Sequence, residues 1–201
     1  MNVPDAAQQI GVLSLAVRDE MTQLREHHSC VLTAVTLIEV LQRNGFKSAY
    51  ALTVRANIFN PAFTNWIKQK GFPKDQRVLE RCEAAGGAFV GLGTGSAENT
   101  LDGNWPGHVA VIVPGVFGDR HAMSDMTITQ AEKVDWQIHL QPLIAPVSDA
   151  FVTGDKEFKP EVNGCLIVYK AFPADRDFEG SVLWTDRKRI AVVADRVMAR
   201  L

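Results

Sequence analysis

The chain has 201 residues, 46% of them hydrophobic and 22% charged, a balance that fits one globular domain with a sizeable core. A net charge of −2 gives no global electrostatic case for nucleic acid or an anionic membrane as partner. No apolar run approaches the roughly 20 residues of a membrane span, the start Met1-Asn2-Val3-Pro4-Asp5 lacks a basic, apolar leader, and three scattered cysteines form neither a CxxC pair nor a disulfide framework. The expectation is a cytoplasmic protein.

Residues 4–25 read as an amphipathic helix. Asp5 supplies a carboxylate to its first turn, and Ile10, Leu13, Val17, Met21 and Leu24 recur at three- and four-residue steps. A turn over 26–29 leads into residues 30–43, which are apolar almost all the way round and interrupted only by Thr33, Thr36, Glu39 and Arg43. A helix with so little polar surface is buried in the middle of a domain. Asn44-Gly45 supplies its stop signal. Cys30 falls on the first turn of this helix, where free backbone N–H groups and the helix dipole favour a thiolate.

Residues 49–59 are rich in strand formers and are broken by Asn60-Pro61. A short amphipathic stretch with Phe63, Trp66 and Ile67 follows, then a helix over 74–85 with Val78, Leu79 and Cys82 inward. Cys82 is therefore expected as a small core residue. Gly91-Leu92-Gly93-Thr94-Gly95 is no phosphate loop, because no Lys-Ser/Thr follows and the run does not enter a helix. A strand over 88–92 ending in a loop over 94–105 is the better account.

His108 opens the next strand, whose unbroken apolar run Val109 to Val113 marks it as central. Pro114-Gly115 turns the chain into a strand over 117–128, giving an antiparallel hairpin. Residues 130–144 are expected to be irregular with a helical turn, with further strands over 150–152, 165–170 and 181–184. Asp186 caps a final helix with Ile190, Val193, Val197 and Leu201 on one face, and Arg187-Lys188-Arg189 reads as its solvated surface. The class is α+β, a central buried helix packed on a mainly antiparallel sheet.

A helix-terminal cysteine becomes a useful nucleophile when an imidazole takes its proton and a carboxylate orients that imidazole. His108 at the start of a buried strand and Asp125 near the same end of the next are cross-strand neighbours. Asp125 can thus hold one ring nitrogen of His108 and leave the other for Cys30, with N–H groups around Cys30 as part of an oxyanion hole. Gln23 and His28 are candidates for lining the site or completing that hole, while Thr127 and Gln130 are expected to support Asp125. His121, which shares the side-chain parity of Asp125, is an alternative base. His139 is assigned no role.

This order of Cys on a central helix, then His and Asp on successive strands, resembles the papain-like cysteine fold in its transglutaminase-like and arylamine N-acetyltransferase-like branch. More narrowly, Ser29-Cys30-Val31-Leu32, Trp105-Pro106-Gly107-His108-Val109-Ala110-Val111 and Asp125-Met126-Thr127-Ile128-Thr129-Gln130 resemble a group of uncharacterised bacterial proteins of that branch. Their pattern is a cysteine, a Gly-His before an apolar strand, and an Asp-x-Thr/Ser-x-x-Gln. The likeness covers residues 27–131. It departs from the fold's habit at Ser29 and Val31, since neither neighbour of the cysteine is aromatic. It implies one papain-like or transglutaminase-like domain over 1–201 with added N- and C-terminal helices. It also implies an acyl-thioenzyme mechanism acting on an amide or ester.

The expected function is thus a cysteine hydrolase or acyltransferase with a Cys30–His108–Asp125 triad and no cofactor or metal. The substrate would be a small molecule or a peptide, and water or an amine the acceptor. Two rivals stand beside it. One is a non-catalytic binding or interaction domain on the same fold, with Cys30 an inert core thiol. The other is a metal protein that would use His28, Cys30, His108 and Asp125, although His-x-Cys spacing is unusual for structural zinc.

Overall fold

The structure is a computed structural model that describes residues 3–26, 29–93 and 107–201. It is an α+β arrangement: a layer of helices lies on one face of a curled antiparallel sheet. The loop expected over 94–105 lies outside the described residues.

Helix α1 (Val3–Gln23) buries the predicted stripe Ile10, Leu13, Val17 and Met21. Glu20, on the same helix, is almost wholly buried and is held by Arg200 at 2.5 Å and Arg196 at 3.6 Å from the far end of the chain. Helix α2 (Cys30–Arg43) begins at Ser29, whose Oγ accepts the Leu32 N–H at 3.4 Å. It ends at Asn44, followed by Gly45 at φ +96°, a left-handed position that a side chain would resist. Between these caps, Val31 to Leu37, Val40 and Leu41 are buried. The helix is enclosed by α1, by α7 (Arg187–Met198) and by the sheet. Asp186 caps α7 by accepting the Arg189 N–H at 3.0 Å, as expected.

The spine of the sheet is β1 (Tyr50–Phe59). One of its edges pairs over its whole second half with β7 (Cys165–Ala171). The other edge is shared: Tyr50 to Val54 pair with β3 (His108–Val113), while Ala56 to Phe59 pair with β2 (Phe89–Leu92). Beyond β3 lie β4 (His121–Asp125) and β5 (Leu143–Val147), and beyond β7 lies β6 (Glu161–Val162). Strand alternation divides the core. Val109, Val111, Val113 and Ala122 face α1, α2 and α7, whereas Leu52, Ala110, Ile112, Met123 and Tyr169 pack on the opposite face. A smaller cluster places Cys82, from α4 (Gln76–Ala84), against Phe59 and Phe63, the latter on α3 (Pro61–Lys70).

Several predicted elements differ. Residues 150–152 belong to a short helix, α5 (Asp149–Val152), and the strand is the preceding Leu143–Val147. Pro146 hides it in the sequence, yet an edge strand tolerates proline because one row of its backbone groups has no sheet partner. Of the residues 181–184 expected as a strand, 182–184 are helical, in α6 (Val182–Thr185), because Ser181 Oγ caps the turn by accepting the Trp184 N–H at 3.3 Å. Strand β4 is shorter than the predicted 117–128, since the chain after Asp125 turns into a 3₁₀ segment, Ile128–Ala131. The β6–β7 hairpin went unpredicted although its Asn163-Gly164 turn, both residues at positive φ, is a strong hairpin signal. Among the described residues, no helix is long and apolar enough to cross a membrane.

Candidate active site

The site lies where β2 ends and β3 begins on the shared edge of β1. His108 pairs with Val54 there, two residues from the Ala56–Leu92 pair. Gly93 closes the junction at φ +69°. A Cβ added to it would stand 2.6 Å from Val54 O and 3.1 Å from His108 Cβ. A glycine of the run considered as a phosphate loop therefore serves to let backbone pass against the histidine.

Register brings the acid to the base. Val111 pairs with Ser124 and Ile112 with Met123, so Asp125 continues the ladder opposite Ala110, two residues from His108 on the same face. The His108 Nε2–H donates to Asp125 Oδ2 at 2.8 Å, with both side chains buried. Asp125 accepts two more donors: the Tyr169 O–H on Oδ2 at 2.9 Å and the Thr127 N–H on Oδ1 at 3.2 Å. Three donors fix the carboxylate, and it fixes the imidazole.

Cys30 comes from the helix layer and meets His108 at the start of β3. It occupies the first position of α2, partly exposed, and its thiol donates at 3.6 Å to the carbonyl O of Gly107, the residue before His108. The N–H groups of Cys30 and Val31 belong to the first turn, where no intrahelical acceptor exists. Burial pushes the His108 imidazolium down. The charge and hydrogen bond of Asp125, with Cys30 adding in the same direction, outweigh burial and leave the ring pushed up to about 10. Burial and Asp125 together hold the Tyr169 phenol well above its usual range, so it remains a donor.

The supporting residues divide the work differently from expectation. Thr127 reaches Asp125 through its backbone N–H, not its hydroxyl. Gln130 does not touch Asp125: its side-chain amide lies 3.1 Å from His108 Nδ1. A half turn of that amide lets it donate to a neutral ring or accept from Nδ1–H of a charged one. Gln23 is exposed at the end of α1, and His28 lies outside the described residues. His121 stands at the other end of β4, roughly 13 Å along the strand from Asp125, and bonds Asp149 at 2.6 Å. Among the described residues, no group of three or more His, Cys, Asp and Glu side chains is placed to hold a metal ion. Tyr169 was missed by sequence reasoning. Its signal is a phenol in a strand apolar on both sides, since a buried Tyr O–H needs a partner.

The arrangement can activate a sulfur nucleophile and shuttle one proton through an imidazole held in a fixed tautomer. Comparison with protein-family models, curated proteins and solved structures finds no match to the chain.

Proposed function

We propose that the chain is a thiol-dependent acyl-transfer enzyme with a papain-like or transglutaminase-like core, acting on the amide or ester of a small molecule or peptide. The observation that carries this reading is the placement of Cys30, at the N-terminus of a buried helix, against the Gly107 carbonyl next to His108, itself fixed by Asp125.

The chemistry runs as follows. The thiol proton passes to His108 Nδ1, and the pair is a thiolate beside an imidazolium that Asp125 stabilises. Sulfur attacks the acyl carbon, and the carbonyl oxygen gathers negative charge against the N–H groups of Cys30 and Val31. The tetrahedral centre collapses as His108 gives its proton to the leaving amine or alcohol. Water or a second amine then loses its proton to His108 while attacking the thioester, and the proton returns to sulfur when the product leaves.

Labelling with a thiol-reactive acyl probe tests this reading. Cys82 and Cys165 serve as internal controls, because burial pushes both of their thiols up. The modification should map to Cys30 and vanish in Cys30→Ala. Labelling that persists in that variant contradicts the reading.

A binding domain without turnover is the second reading. It is favoured by Gln130, which occupies the Nδ1 side of the ring, and by the thiol's bond to Gly107 O. Replacement of Gln130 by Ala separates the two. A catalyst in which Gln130 blocks nothing keeps Cys30 acylation, whereas acylation that appears only in the variant supports the binding domain.

A further inference from the structure

Strand parity places two cations on the side of the sheet that carries Cys30. Leu52, Val54, Ala56 and Ile58 of β1 pack into the core on the face away from α2, so Thr53, Arg55 and Asn57 point to the face on which α2 lies. β7 follows the same rule: Tyr169 and Ala171 face away, and Lys170 faces the α2 side. Arg55 pairs with Lys170 in the ladder, so the two cations are direct cross-strand neighbours.

Both residues are exposed, and neither makes an ion pair among the described residues. Their neighbours along the two strands on this face, Thr53, Asn57 and Val168, carry no charge. Asp175 approaches through its backbone carbonyl, which accepts the Thr53 hydroxyl at 2.7 Å, while its carboxylate accepts the Asp177 N–H at 3.1 Å. Like charges directly opposite each other weaken a sheet. One ring holds these two: Arg55 Cζ stands 5.1 Å and Lys170 Nζ 5.6 Å from the centroid of Phe172. In a chain of net charge −2, two cations are thus gathered at one place with no counter-ion.

The place adjoins the thiol. Thr53 pairs with Val109 and Val54 with His108, so the same register carried one residue further sets Arg55 opposite Gly107. The Gly107 carbonyl is the group that accepts the Cys30 thiol at 3.6 Å. Cross-strand Cα atoms are about 5 Å apart, which puts the Arg55 backbone within roughly 11 Å of Cys30 Sγ. The residues that border Arg55 on this flank, Gly93 and Gly107, carry no side chain.

We propose that Arg55 and Lys170 bind a negatively charged group of the substrate, at the end remote from the bond that Cys30 attacks. The proposal rests on the thiol-acyl reading for the reacting end. The anion site itself stands on the two cations.

NMR titration of the Cys30→Ser protein tests it without turnover. The probes are adipamate, which has a carboxylate and an amide at opposite ends, and hexanamide, of the same length without charge. Adipamate should bind about fivefold or more tighter than hexanamide, the sum of two exposed charge pairs. Arg55→Gln and Lys170→Gln should each reduce that preference, and the double variant should erase it. Cations that serve only to brace Phe172 would leave the two affinities equal. Equal affinities, no binding of either probe, or a preference that survives the double variant overturns the proposal. The 4-nitrophenyl monoester of adipate, compared with 4-nitrophenyl hexanoate on the protein with native Cys30, separates the two claims. Preferential binding of adipamate with no acylation of Cys30 by either ester overturns the thiol-acyl reading and leaves the anion site standing. Acylation of Cys30 with no preference for the charged probe in binding or in rate does the reverse.

Discussion

His108 and Asp125 meet through a 2.8 Å hydrogen bond between Nε2 and Oδ2, both side chains shut away from solvent, and the acid is shared with Tyr169. A buried pair of this kind has consequences for stability as well as chemistry.

The first concerns pH. With the His108 ring pushed up to about 10 in the folded chain and near 6.5 when unfolded, the native state holds its proton more tightly. The stabilisation is complete below pH ~6.5, declines as pH rises, and is lost above about 10. Urea denaturation between pH 6 and 10 should show a fall in stability on the order of a few kcal/mol that is absent from His108→Gln. Parallel pH profiles for the two proteins would remove the ion pair from the account.

Tyr169→Phe deletes one donor to Asp125 and leaves the ring packing with Phe158, at 6.1 Å between centroids, in place. The expected loss is about 1–3 kcal/mol of folding stability, the cost of an underpaired buried carboxylate. A urea midpoint equal to that of the parent would show that Asp125 does not need the phenol.

Gly93→Ala adds a methyl group 2.6 Å from Val54 O at a backbone angle of +69°. Strain of this kind costs on the order of 1–3 kcal/mol. Because the nearest side chain is His108, the NMR signals of its imidazole should shift more than those of His121. An unchanged His108 spectrum would mean that the junction yields elsewhere.

Thr36→Val should stabilise the protein. The Thr36 hydroxyl is buried in α2 with no partner, and an isosteric methyl removes that cost, worth about 1 kcal/mol. A lower melting temperature would reveal a partner for the hydroxyl.

The sequence carried the elements that frame the site because each has a local signal. The period of α1, the apolar run of α2, the unbroken valines and isoleucine of β3 and the Asp186 cap are all written in neighbouring residues. The antiparallel pairing of His108 with Asp125 followed from a hairpin and strand parity. What stayed hidden depends on distant partners. Tyr169 reaches Asp125 across two intervening strands, β1 and β3, and no spacing rule encodes that. Gln130 was expected beside Asp125 because it follows in sequence, but the 3₁₀ turn swings it to the other side of the imidazole. Ser181 and Pro146 misled for the opposite reason, since a cap and an edge position overrode the apparent pattern.

The central claim is that Cys30 and His108 act as one unit, and the rate of acetyl transfer from 4-nitrophenyl acetate to Cys30 tests it most directly. The transfer is followed by nitrophenolate release and by the mass of the modified protein. The account predicts a single acetyl group on Cys30, formed about 10²-fold or more slowly in folded His108→Gln, the usual contribution of a positioned acid–base group. An equal rate in the two proteins, or an acetyl group on another residue, would contradict it.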